Sequence, residues 1–240
     1  MSVTMGYKMT HDSGFAPNPF HGVLTLATCK PRIRACRKAG EWVAGFASQS
    51  LVDGAARRGV TIPRDGLVYL MQIGEVLPLH VYFDDKRFVH KQPPRESNDA
   101  IALCGDNIYY LDHRGRYEQL ENRHHTRAEA HHDTGGVNAL VAGRFYYFGR
   151  QCFVPDGGWA AMTGAPLSRG RTFYCPNSFA EKILRYLDAR GIAEGVHGLP
   201  SMMEGTREDL EQSCARTVSV PRLAPPDRPG RLNRSDSCAC

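Results

Sequence analysis

The run Leu67-Val-Tyr-Leu-Met-Gln-Ile-Gly-Glu-Val-Leu-Pro-Leu79 constrains this chain more than any other stretch. Aromatic and branched residues dominate its first half, which reads as a buried β-strand. Gly74 marks a bulge or sharp bend, and Pro78, without an N–H to donate, ends the pairing. Such a strand needs neighbours. Residues 23–27, EWVAGF at 41–46 and VNALVAGRFYYF at 137–148 supply them, the last read as a strand pair turning at Gly143. The clearest helix comes late. Ser178 and Glu181 form a capping box, Phe179, Ile183, Tyr186 and Leu187 an apolar face, and Gly191 the stop. Residues 48–64 and 151–171 read as glycine-containing connections. The class is α+β.

Residues 7–47 gather the polar residues of interest. Gly14, Pro17 and Pro19 make a stiff irregular loop, able to hold Asp12, Asn18 and His21 at fixed positions. A plain crossover in which Asp12 caps its own turn is the alternative. Pro31 at a first helical position and Gly40 beyond the end bracket a short helix. Lys30, Arg32, Arg34, Arg37 and Lys38 fall on it with no acid among them. Basic side chains and free N–H groups at a helix start suit phosphate, although short charge runs are also ordinary solvated faces. Cys29 precedes this helix, a position that favours a thiolate nucleophile. Cysteines at strand ends also serve as small buried hydrophobes, and the sequence leaves both open.

Further on, Tyr82, Phe83 and Phe88 either stack on a base or fill the core. Gly105-Asp106-Asn107 is a turn, and Lys91 precedes the Pro93-Pro94 break. His113, His124, His125, His131 and His132 crowd one charged segment, but no H-x-x-x-H, H-E-x-x-H or CxxC spacing accompanies them, so no metal is assigned. A histidine there can act as acid or base near neutral pH, with Asp133 orienting His132 or another imidazole.

The 240 residues suit one domain plus an appendage. Residues 1–200 form the expected domain, and 201–240 a proline-rich, low-complexity tail expected to be disordered. No apolar run of about eighteen residues exists and no secretory signal opens the chain, so a cytoplasmic location without a membrane partner is expected. Eight scattered cysteines are expected to stay reduced. A net charge of +5 permits a nucleic-acid partner without requiring one. Neither a cofactor nor an oligomeric state can be read.

Several segments in order resemble the nucleotide modification associated domain 2 family: YKMTHDSGFAPNPF (7–20), LATCKPRIR (26–34), GEWVAGF (40–46), LVYLMQI (67–73), GDNIYY (105–110) and FYYFG (145–149). The resemblance implies a role around modified nucleotides, in bacteria and phage, and matches the family's polar positions at Asp12, Asn18, Cys29, Lys30, Lys91, Asp106, Asn107 and Asp133. Glu41 departs from the aspartate common there. A looser resemblance, carried by residues 73–76 and by YFDDKRF at 82–88, is to PUA-like EVE and YTH domains. It implies a small bent β-barrel-like sheet with flanking helices, and an aromatic pocket for an extruded base in which Trp42, Tyr69 or Tyr82 would form the cage.

Two functions follow. In the first, a modified base or nucleotide is bound in a pocket beside the basic helix, with Asn18, His21, Lys30, Arg32, Arg34, Trp42, Tyr82, Lys91, Asp106, Asn107 and Asp133 lining the site. In the second, an enzyme modifies or hydrolyses a nucleotide or base with Asp12, Cys29 and His132 as its chemical groups. Binding stands ahead, because no complete catalytic constellation is legible in the chain.

Overall fold

In the computed structural model, which describes residues 3–176 and 178–203, the long apolar run lies near the middle of the main sheet. The chain runs β1 (Thr4–Met9), β2 (Thr25–Leu26), α1 (Pro31–Cys36), β3 (Trp42–Ala47), α2 (Gln49–Ala56), β4 (Leu67–Pro78) and α3 (Leu79–Asp84). It continues through β5 (Tyr109–Leu111), β6 (Tyr117–Gln119), α4 (Ala130–Thr134), β7 (Asn138–Tyr147), α5 (Gly158–Thr163), β8 (Thr172–Tyr174), α6 (Phe179–Asp188) and β9 (Gly195–Val196). The main sheet has the order β2-β7-β4-β3-β1-β8, with β9 beside β7, while β5 and β6 form a separate hairpin. β1 and β3 pair in parallel, whereas β3–β4 and β4–β7 are antiparallel.

The α+β class holds, but the barrel does not. Among the described residues the sheet is open, with β2 and β8 at its ends, and a PUA-like or EVE-like architecture gains no support. The residues assigned to the tail from 204 onward lie outside the described ones.

β3 is buried throughout, as are Leu67 to Met71 of β4, which explains their unbroken apolar runs. The bend at Gly74 is present as register shifts between Gln72/Ile73 and Ile73/Glu75. The turn at Gly143 is not: β7 is one continuous strand. A Cβ on Gly74 would sit 2.8 Å from the Gly143 Cα, so the two glycines let neighbouring strands bend together, and neither chain reverses.

Two expected loops contain helices. Ser48 caps α2 by accepting the Leu51 N–H at 3.2 Å, and α5 occupies part of the 151–171 connection. The capping box at Ser178 is absent, because that residue is left-handed (φ 60°) and its side chain caps nothing. α6 instead docks by its apolar face. Phe179, Ile183 and Leu187 are buried, each worth about 1.5–3 kcal/mol, and Phe179 meets Phe46 edge-on at 5.8 Å. No helix among the described residues is long and apolar enough to cross a membrane. At one side of the sheet α1 packs on β7 and α4, and α4 on β6, bringing three short polar segments together.

Candidate functional site

Cys29 sits in a strained turn between β2 and α1. Cys29 and Lys30 both have left-handed backbones (φ 54° and 44°) before Pro31 opens the helix. Non-glycine residues held there cost on the order of 1–3 kcal/mol each, so the surroundings must impose the geometry. They do so from both sides. Asp133 Oδ1 accepts the Cys29 N–H at 2.7 Å, and Arg34 Nε donates to the Cys29 carbonyl at 2.7 Å. Arg34 is wholly buried and also donates through Nη1 to the Asn138 carbonyl at 2.6 Å and through Nη2 to the Asp133 carbonyl.

The turn aims the sulfur at a histidine. Cys29 Sγ lies 3.4 Å from His125 Nε2, and His125 Nδ1 lies 2.7 Å from Asp133 Oδ2. Tyr109 on β5 donates its hydroxyl to that same oxygen at 2.9 Å. The residue is fixed from behind as well: Asn122 Oδ1 accepts the His125 backbone N–H at 2.7 Å, and Phe15 meets the ring edge-on at 4.9 Å. Cys29, His125 and Asp133 thus form a line from thiol through imidazole to carboxylate. Their donor atoms lie within 4.8 Å of one another, which would suit a metal ion. Yet sulfur and carboxylate engage opposite ring nitrogens, the arrangement of a proton relay and not of a chelate.

Burial pulls His125 toward its neutral form, but hydrogen bonds with Asp133 and Cys29 outweigh it and push its pKa up to about 10. Burial likewise raises Asp133, and the bond and charge of His125, with Arg34, bring it below the usual carboxylate range. At neutral pH the imidazole is therefore charged and donates from both nitrogens. A raised histidine stabilises the fold fully below its unfolded value of about 6.5, and that contribution is lost as pH rises through the folded value of about 10. We expect His125→Gln to flatten the fall of melting temperature between those limits. An unchanged slope would dissociate His125 from the pair. Lys91, lowered by burial to about 8, acts in the opposite direction in the alkaline range, so only the difference between the two proteins isolates the histidine.

Two clefts meet at the thiol. The smaller, about 310 Å³, is walled by Tyr7, Ser13, Phe15 and His124; the larger, about 790 Å³, by Arg32, Arg37, His132, Arg171 and Tyr174. Cys29, Lys30, His125 and Glu129 line both. The Lys30 ammonium stands 4.7 Å over the Tyr7 ring, and burial lowers its pKa.

Of the residues singled out from sequence, Cys29, Lys30, Arg32, His132 and Asp133 are gathered here. His132 lines the larger cleft, but His125 occupies the relay: His132 adjoins Asp133 on α4 and cannot share its direction, whereas the loop after β6 swings His125 back. Arg32 and Arg34 diverge, the first exposed at the cleft and the second turned inward to three carbonyls, which leaves Arg34 no donor fork to offer a phosphate. Asp12 is on neither wall. It is buried, accepting from the Tyr147 hydroxyl and from Ser201 N–H at 2.7 Å.

The remaining polar positions form a separate buried network. Lys91 Nζ donates to Asn18 Oδ1 at 2.7 Å, and Asp106 accepts from Thr25 at 2.7 Å and Tyr82 at 2.8 Å. Asn107 Nδ2 donates to the Tyr82 and Phe88 carbonyls. His21 stacks on His90, with ring centroids 5.9 Å apart, away from the thiol. Trp42, Tyr69 and Tyr82 are core residues, so they present no open cage for a base. His125 stood in the sequence only as one of five histidines that Asp133 could orient, whereas nothing in the residues marked Tyr174 or Arg171.

Fold and site together define an α+β domain that carries a thiol–imidazole–carboxylate relay between two clefts. The sequence profile of the nucleotide modification associated domain 2 family matches residues 1–201, and the chain belongs to that family. Membership ties it to nucleotide modification, and so to nucleotides or nucleic acid as partners. No curated protein and no solved structure matches it.

Proposed function

We propose that the chain is a thiol-nucleophile enzyme acting on an amide or ester carbonyl attached to a nucleotide. The observation that carries this is the alignment of Cys29 Sγ, His125 and Asp133 at the meeting point of two clefts. With the proton they share held on His125 Nε2, the Cys29 sulfur attacks the carbonyl carbon. A C–S bond forms, and the Lys30 ammonium balances the charge gathering on oxygen. The C–N or C–O bond then breaks as His125 protonates the leaving group. Water attacks the thioester, gives its proton to the imidazole, and releases the acid and the thiol. Lys30, Arg32, Arg37 and Arg171 give the larger cleft its positive charge, a suitable seat for the phosphate. Binding alone accounts for that charge but not for two strained residues that aim a sulfur at an imidazole.

The test is alkylation of the native chain with iodoacetamide at pH 6, read by peptide mapping. Cys29 is expected to label at least tenfold faster than Cys36, which is also partly exposed. Equal rates would remove the covalent mechanism.

A further inference from the structure

We infer that the larger cleft takes a single-stranded polynucleotide, DNA or RNA, with Tyr174 stacking on a base beside the reacting nucleotide and Arg32 and Arg171 on the flanking phosphates. The inference deepens the catalytic reading above and rests on it for the position of the reacting nucleotide. Tyr174 is 57% exposed and lines the cleft wall. It belongs to β8, which ends the sheet path and pairs only with β1 among the described strands. The Arg37 guanidinium sits 5.7 Å from the ring centroid, a cation–π contact that steadies the ring as a platform. Arg37 also pairs with Glu41 at 3.5 Å, so part of its charge is already matched.

Arg32 and Arg171 are exposed and arrive from separate elements, α1 and the segment before β8. The acids on this wall are Glu129 and Asp133, and Asp133 is buried and committed to the relay. Cations carried by two elements with an aromatic face beside them suit a chain of phosphates with unstacked bases. In a duplex the bases already stack on one another and offer no face to Tyr174.

The experiment uses the full chain with fluorescein-labelled oligo-dT and oligo-rU twelve-mers, read by anisotropy at 50 and 200 mM salt. Two phosphate contacts predict roughly sevenfold weaker binding at the higher salt. Tyr174→Ala is expected to weaken binding about tenfold or more and Tyr174→Phe to restore it, with Arg171→Glu as severe as the alanine variant. Thymidine or uridine monophosphate should compete at least a hundredfold less well than the matching strand. The dT and rU arms separate DNA from RNA. No binding of either strand, equal competition by the mononucleotides, or affinity indifferent to Tyr174→Ala and Arg171→Glu would each overturn the inference. Alkylation of Cys29 in the parent chain reads the catalytic proposal separately, so either can fail alone.

Discussion

Arg34→Met is expected to remove about 3–5 kcal/mol of stability, the loss associated with breaking a buried, hydrogen-bonded charge. The guanidinium is fully buried and donates to the carbonyls of Cys29, Asp133 and Asn138, tying the turn before α1 to the distant segment that joins α4 to β7. It also lies 4.0 Å from Asp133 Oδ1, whose charge it helps balance. Methionine keeps the aliphatic stem but ends short of the guanidinium, taking away every bond Arg34 donates and leaving the Asp133 carbonyl only the Gly136 N–H. Arg34→Lys should recover little, because a single ammonium cannot reproduce a planar fork with several donors. Gly136 shows how closely the fork is fitted: a Cβ there would stand 2.6 Å from the Arg34 Cζ. Urea denaturation checks the figure, with the exposed Arg32→Met as a comparison expected to change stability by less than about 0.5 kcal/mol. A loss below about 1 kcal/mol at Arg34 would mean that the clamp is dispensable. The same variant should slow Cys29 alkylation even where the protein stays folded, since the carbonyl of the strained turn is released.

Periodicity made the sheet legible, and reach across space hid the site. The apolar run at β4 and its bend at Gly74 could be read directly because burial on both faces leaves a mark in the sequence. The absence of a turn at Gly143 could not, since whether a glycine reverses a strand or merely bends it depends on the residue opposite, here Gly74. Cys29, Lys30 and Asp133 stood out as residue types in suggestive places. His125 did not stand out from its neighbours, because its role depends on a loop that brings it within reach of positions 29 and 133 at once. Arg34 and Arg32 look identical in sequence. Only helix phase against β7 and α4 decides that one is a clamp and the other faces solvent. The family resemblance implies Lys91, Asn18 and Asp106 as site positions; in the structure Lys91 binds Asn18, Asp106 binds Thr25 and Tyr82, and these bonds hold residues 18–25 against 82–107.

His125→Gln should slow alkylation of Cys29 at pH 6 by about a hundredfold, and Asp133→Asn should do almost as much. At that pH an isolated thiol is almost wholly protonated, about 0.3% thiolate from a reference value near 8.5. The His125 imidazolium, 3.4 Å from Cys29 Sγ, supplies the positive charge that favours reaction at sulfur, and glutamine takes it away. Asparagine at 133 keeps the shape, and its amide oxygen can still accept the Cys29 N–H that Oδ1 accepts now. Its NH₂ group then faces His125 Nδ1 and makes that nitrogen an acceptor, leaving the ring proton on Nε2 against the sulfur. A ring in that tautomer has no lone pair at Nε2 to accept a proton from the sulfur, and no carboxylate to stabilise the charged ring. The two losses should therefore not multiply. The double variant His125→Gln, Asp133→Asn is expected to be about as slow as His125→Gln alone, the signature of groups that act as a unit. Rates in the double variant equal to the product of the single effects would show that Asp133 serves the turn at Cys29 and not the imidazole, and the relay would reduce to a thiol beside a histidine.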